Sequence, residues 1–310
     1  MTRRVVVVGG GAAGTLVAIH LAHQAKRNIE ITVVEPRPHL GEGVAYSTRD
    51  ESHLLNVPAD GMSIYPGDAL HFARWAESNE GDFLPRRRYA AYLREELERL
   101  LRENRRATVR HVRLPATAIA GSPLLVDVVG ERIHADRVVI ALGNASPTQP
   151  EWVGALEASR VVNDPWAHGA LDRVQDGSTV LCIGTGLTFV DVALSLTRRS
   201  CRVTATSRHG LLPQVHASAK PEPTLDPPSD VASPAAMLRW IREQSDWRAA
   251  LQVLRPETQR VWRNWSDGNQ RQFLRHARRH WDVHRHRMAP EVAQALQKSF
   301  ADGTVVVQRG

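Results

Sequence analysis

The chain reads as an α/β protein with two Rossmann-like dinucleotide-binding domains, a β-meander and a helical insertion. Two glycine-rich turns carry that prediction, each directly after an apolar β-run. The first places Gly9, Gly11 and Gly14 after the run 5–8, and the second places Gly184 and Gly186 after the run 179–183. Length is the third observation: 310 residues exceed one typical domain and can bury a core in each of two. A single turn of this kind suggests a dinucleotide site. Two in series suggest a chain that holds two dinucleotides against each other.

The first turn has the right context on both sides. Apolar Leu16, Val17, Ile19 and Leu21 follow it at helical spacing. Gly9 permits the tight turn, Gly11 lets backbone approach a pyrophosphate, and Gly14 lets the helix pack close to the strand. The free N–H groups at the helix start, at Ala12 and Ala13, favour an anion there. A second strand over 29–34 ends in Glu35 and Pro36. Glu35 lies about 20 residues beyond Gly14, where an acid grips a ribose hydroxyl.

The next motifs are Gly43-Val44-Ala45-Tyr46-Ser47, then His53-Leu54-Leu55-Asn56-Val57-Pro58-Ala59, then Met62-Ser63. Further pieces are Val139-Ile140-Ala141-Leu142-Gly143-Asn144, Gly184-Thr185-Gly186-Leu187-Thr188 with Asp191, and Ser207-Arg208-His209-Gly210-Leu211-Leu212-Pro213. The last runs from Trp281 through Arg285-His286-Arg287-Met288-Ala289-Pro290. Together they resemble a bacterial family of FAD/NAD(P)-binding oxidoreductases that includes a flavin-dependent urate hydroxylase. The resemblance implies a two-dinucleotide flavoprotein plan, with FAD on the first domain. It places Tyr46, Asn56, Met62 and Ser63 near the flavin ring. Gly43, Ala45, Val57, Pro58, Ala141 and Gly143 complete the implied FAD contacts.

Between these motifs, 68–79 and 86–104 read as helices, the latter with Tyr89, Leu93, Leu97 and Leu100 on one stripe. Several short strands follow over 108–142, separated by Gly121-Ser122-Pro123 and Gly130-Glu131. The predicted organisation is therefore an FAD-binding domain over 1–150, a connection over 151–177, and an NAD(P)-binding-like domain over 178–310.

The second module repeats the first: strand 179–183, the Gly184-x-Gly186 turn, and helix 187–198, with Leu187 and Thr188 at its start. Phe189 stands where the last glycine of the fingerprint belongs, which holds the helix away from the strand or requires a local adjustment. Strand 202–206 ends in Ser207-Arg208-His209 with no acid. A carboxylate there favours NADH, whereas Arg accepts a 2′-phosphate, so NADPH is the preferred cofactor.

A proline-rich loop, including Lys220 to Pro228, separates this module from Trp- and Arg-rich helices over 235–300. Their residues 255–287 admit three readings. Arginines with Trp262, Trp265 and Trp281 could bind nucleic acid. His276, His280 and His284, at i, i+4, i+8, could ligate a metal. The preferred reading packs the Trp residues and leaves the charges facing water or an anion, with neither nucleic acid nor metal bound. Arg285, His286 and Arg287 then remain candidates for substrate or cofactor phosphate contacts.

The net charge of +7 comes almost wholly from Arg and attracts anions such as NADPH. Cys182 and Cys201 are the two cysteines, without a C-x-x-C pair, which argues against dithiol-disulfide chemistry and for a reducing, cytoplasmic setting. No apolar run is long enough to span a bilayer, and the start shows no signal peptide. Residues 304–308 read as a strand returning toward the FAD domain, which the resembling family continues past, so a C-terminally truncated chain is expected. The functional expectation is an FAD-dependent NAD(P)H oxidoreductase, a monooxygenase of a small molecule, with no catalytic acid or base identified. The alternatives are a flavoprotein with a degenerate nicotinamide site, a nucleic-acid-associated protein, and an inactive fragment.

Overall fold

A computed structural model describes residues 2–217 and 231–310; the predicted loop around Lys220 to Pro228 lies outside the described residues. The chain divides into two compact units, Met1–Gln175 and Asp176–Gly310.

In the first unit, β1 (Arg3–Val8), α1 (Ala12–Gln24) and β2 (Ile29–Val34) form the expected βαβ unit. Alternation along β1 sends Val5 and Val7 into one core, beneath α1 and α4 (Arg86–Glu103), and Val6 and Val8 into another beneath the meander. Such two-sided burial is what a parallel strand requires. The sheet order is β3-β2-β1-β7, all parallel, with β3 at Ala107–Val112 and β7 at Arg137–Ile140. Between them, β4 (Ala116–Gly121), β5 (Leu124–Val128) and β6 (Glu131–Ala135) make the antiparallel meander. Two short helices, α2 (Gly43–Tyr46) and α3 (His71–Trp75), precede α4. The helix predicted over 68–79 is thus shorter. Glu77 takes φ +51°, and a helix of L-residues cannot continue through that conformation. Residues 151–175 fall within this first unit, where the Trp166 ring meets His53 edge-on at 5.5 Å and lies under Arg86 at 5.2 Å.

In the second unit, β8 (Thr179–Ile183), α5 (Leu187–Thr197) and β9 (Arg202–Ser207) repeat the βαβ logic. The closing strand β10 (Val305–Arg309) differs from expectation. It pairs in parallel with β9, giving the order β10-β9-β8, instead of starting a strand of the FAD-domain sheet. The physical reason is its register: Val305 lies opposite Val203 and both are buried on the helix-covered face. The opposite face keeps Leu181, Ile183 and Val306 exposed.

The insertion comprises α6 (Pro234–Glu243), α7 (Trp247–Asn264), α8 (Asp267–Gln272), a π-helical turn at Phe273–Ala277, α9 (Arg278–Arg285) and α10 (Pro290–Ala301). Side chains cap three of these starts: Ser233 accepts from Ala236 N, Asp246 from Arg248 N and Ser266 from Asn269 N. Trp262, Trp265, Phe273 and Trp281 pack with Met237 and Leu254, as the packing reading of these helices expects. The Trp265 indole donates to Val231 O at 2.7 Å.

Candidate functional site

The first glycine turn is built by contacts that leave no room for side chains. Gly9 holds φ +101°, and a Cβ there would lie 2.2 Å from Ala141 O. A Cβ on Gly14 would lie 1.8 Å from Gly9 O, so α1 rests directly on the turn that precedes it. Gly43 closes the other side, where a Cβ on Gly11 would be 3.4 Å from Gly43 Cα. Gly9, Gly11, Gly14, Gly43 and Ala141 therefore come together from three segments.

Glu35 completes this group. Its buried carboxylate accepts from Gly10 N at 2.9 Å and Arg37 N at 3.0 Å, and the Arg37 guanidinium lies 3.3 Å away. The ring of His111 bonds the Glu35 carbonyl at 2.9 Å. Pro36 and Gly143 are exposed beside these strand ends. The N-cap of α1, Gly11, offers no side chain, and the helix ladder begins with Thr15 N donating to Gly11 O. The N–H groups of Ala12, Ala13 and Gly14 lie before that ladder and face the turn, the donor set an anionic pyrophosphate requires. The residues fit FAD.

Tyr46 ends the one-turn helix α2 that Gly43 begins, and the 53–63 loop follows it in the chain. The Tyr46 ring meets that of Tyr89 at 4.9 Å with a 51° tilt, and burial pushes its phenol up while nearby Arg86 pulls it down. Arg86 donates to Leu54 O at 3.0 Å, and the His53 ring bonds the Thr48 hydroxyl at 2.7 Å. Asn56 is exposed, as is Ala45, while Val57 and Pro58 are half-buried. The Ser63 hydroxyl is engaged inside its own loop, donating to Asp68 O at 2.5 Å and accepting from Tyr65 N at 3.1 Å. Met62 packs against the core. Below this loop Tyr65 donates to the buried Glu96 carboxylate, which Arg99 also holds at 2.5 Å. Arg86 and Trp166 escaped the sequence reading because no local pattern joins either to Tyr46.

In the second turn, Gly184 takes φ +108°. Gly186 again caps a helix without a side chain, and Val190 N donates to Gly186 O, leaving the N–H groups of Leu187 and Thr188 ahead of the ladder. The two modules differ in seating. Phe189 is buried, and a Cβ on Gly184 or Gly186 would meet nothing within 4 Å. The position that bare Gly14 holds in the first module thus carries a buried aromatic side chain in the second. Thr185 ties this turn to the end of β9: its hydroxyl donates to Leu211 O at 2.5 Å and bonds Ser207 Oγ at 2.8 Å. Gly210 N also donates to Ser207 Oγ, at 3.1 Å.

A positive field surrounds that strand end. The His209 imidazole is held below its ordinary value, first by desolvation and then by Arg279, Arg309 and Arg208. Arg309 reaches it because β10 places it opposite Ser207. Burial pushes the Cys182 thiol up to about 11, and both cysteines are free. Among the described residues, no three His, Cys, Asp or Glu groups are placed to hold a metal, and no helix is long and apolar enough to cross a membrane.

Residues 6–145 match the family model described as FAD-NAD(P)-binding. A 3-dehydro-bile acid delta(4,6)-reductase of Clostridium scindens is 26% identical over 160 residues, which are 45% of this chain and 39% of the reductase. The chain thus spans well under two thirds of that relative. The reduced form of ornithine hydroxylase from Pseudomonas aeruginosa superposes over 100% of this chain and 72% of its own, at 14% identity and a TM-score of 0.55. That likeness concerns the fold, and it takes in both units. The family-model likeness thus covers somewhat under half of the chain, the part that holds the first glycine turn, and it is a likeness to FAD-NAD(P)-binding proteins.

Proposed function

We propose that the chain is an FAD-dependent oxidoreductase reduced by NADPH, acting as a monooxygenase on a small molecule. The carrying observation is the pair of glycine-capped helices α1 and α5, each after a parallel strand, with unbonded N–H groups facing the turn. Bound FAD would supply the redox chemistry, accepting a hydride equivalent from the nicotinamide and reacting with oxygen. The residues proposed to hold it are Gly9, Gly11, Ala12, Ala13, Gly14, Glu35, Pro36, Gly43, Ala45, Tyr46, Asn56, Val57, Pro58, Met62, Ser63, Ala141 and Gly143. Gly184, Gly186, Leu187, Thr188, Ser207 and Arg208 are proposed for the nicotinamide dinucleotide. The cluster of Arg208, Arg279 and Arg309 supports NADPH over NADH, since three guanidiniums suit a 2′-phosphate and no carboxylate ends β9. The hydroxylase with the same fold supports the monooxygenase reading, and the reductase relative supports a reaction on a small organic substrate. A cytoplasmic setting belongs to the same proposal.

The test is the visible spectrum of the purified chain before and after anaerobic NADPH. A flavin band that bleaches supports the reading. A flavin that stays oxidised with NADPH but is reduced by dithionite refutes it and favours a degenerate nicotinamide site, for which Phe189 is the specific feature. The Arg208→Gln variant should weaken NADPH binding about tenfold and leave NADH binding nearly unchanged, the loss expected for one charge-assisted phosphate contact.

A further inference from the structure

Trp247 opens α7, and two guanidiniums converge on its ring. Arg248 lies 4.3 Å from the ring centroid and Arg287 5.9 Å, although the two are 39 positions apart in the chain (287 − 248). His284 closes the ring edge-on at 4.7 Å. The segment bearing Arg287 is fixed by backbone: Met288 N donates to Gln214 O at 2.9 Å and His216 N to Met288 O at 3.1 Å.

The donors of this pair go largely unused. Arg248 Nη2 donates to Val215 O at 3.1 Å, but the Nε atoms of Arg248 and Arg287 are buried without a hydrogen-bond partner. Arg287 makes no hydrogen bond or ion pair among the described residues. Among the described residues the acid that acts on Arg287 is Asp246, whose carboxylate is occupied at the N-cap of α7 by Arg248 N at 2.8 Å. Burial lowers Arg287 from its ordinary value and Arg248 and Arg255 lower it further, while among the described residues Asp246 opposes them. Two like charges thus share a half-buried position with donors to spare, which folding alone disfavours. An oxyanion satisfies both: it neutralises the repulsion and takes the fork of donors that guanidinium presents.

We propose that Arg248 and Arg287 form an anion-binding site of the second unit, taking the carboxylate or phosphate group of a small molecule. It is separate from the cluster of Arg208, Arg279 and Arg309. That separation is part of the proposal, and competition by NADP⁺ tests it. The site is independent of flavin reduction, so its failure and that of the proposed activity are distinguishable.

The experiment is calorimetric titration of the full chain with inorganic phosphate and, separately, acetate, at constant ionic strength. It is done with and without saturating NADP⁺, on wild type, Arg287→Gln, Arg248→Gln and the control Arg260→Gln, whose guanidinium is exposed and paired with Glu257. Phosphate or acetate should bind wild type and the control alike, whether or not NADP⁺ is present. Each of the other two variants should bind about tenfold or more weakly, the loss of one charged contact. Whichever probe binds more tightly identifies the phosphate or the carboxylate as the natural group. Without added anion, both variants should melt no lower than wild type, because each removes a like-charge neighbour. Equal binding by all four proteins, displacement of the probe by NADP⁺, or a clear loss of stability in both variants overturns the proposal. Arg248→Gln gives an independent reading if Arg287→Gln does not fold.

Discussion

Substituting Gly14 with Ala tests the seating of α1 on the first turn. The added Cβ would lie 1.8 Å from Gly9 O, 3.0 Å from Gly9 C and 3.2 Å from a Val7 methyl. The two nearest atoms are backbone, so neither can swing aside. Overpacking of this kind costs about 1–3 kcal/mol, and a clash against backbone belongs at the upper end. Ala is the better helix former by about 1 kcal/mol, which works in the opposite direction. The net expectation is a loss of about 2 kcal/mol, or roughly 4–8 °C in melting temperature for a unit of this size. Gly186→Ala is the matched control. Nothing lies within 4 Å of its Cβ and its φ of −80° suits any residue, so apo stability should stay within about 0.5 kcal/mol of wild type. Thermal melts of the apo proteins, followed by FAD reconstitution read at the visible flavin band, make the comparison. A Gly14→Ala protein that melts with wild type and takes up FAD normally would sink the reasoning.

Three further outcomes follow from the same geometry. Glu35→Ala leaves the buried Gly10 N–H without its acceptor, so apo stability should drop by about 1–3 kcal/mol and FAD retention on gel filtration should fall with it. At acid pH, Glu96 is the group to watch: burial raises its pKa, but hydrogen bonds from Arg99 and Tyr65 outweigh burial and leave it below its ordinary 4.5. A depressed carboxylate contributes stability above its unfolded pKa and loses it as pH falls through the folded one, so melting temperature should decline below about pH 4.5, less steeply in Glu96→Gln. At alkaline pH the sign reverses. Tyr65 is pushed from 10.0 up to about 12 by burial and then by Glu96, so its contribution is complete below pH 10 and should vanish as pH passes 12, a loss absent in Tyr65→Phe.

The parts of this molecule that were legible in the sequence are the local ones. Gly9, Gly11 and Gly14 announce themselves because strand, turn and helix are contiguous, and the same holds for Gly184 and Gly186. The stripe of Tyr89, Leu93, Leu97 and Leu100 foretold α4 because each of those side chains is buried. What stayed hidden depends on partners distant in the chain. Residues 304–308 read correctly as a strand, but nothing local says which sheet a strand joins; pairing with β9 is decided by the match of Val305 to Val203. Arg309 joins Arg208 only through that pairing. The helix expected over 68–79 stopped short at Glu77, whose left-handed backbone has no signature in its side chain. Trp166 joins the Tyr46 neighbourhood across more than a hundred residues, and Arg248 meets Arg287 only after the insertion folds.

The unequal seating of α1 and α5 separates the two turns in time. Gly14 has Gly9 O against it, and Ala141, Glu35 and Gly43 close on Gly9, Gly10 and Gly11 from other segments, so the first turn cannot shift without disturbing several of them together. Around Gly184 and Gly186 the neighbouring space is empty and the turn is tied down mainly through Thr185. Affinity differences among related sites lie mostly in dissociation. On the proposed function, the first cradle would therefore suit a tenant that stays through many turnovers, and the second a visitor that must leave after each one.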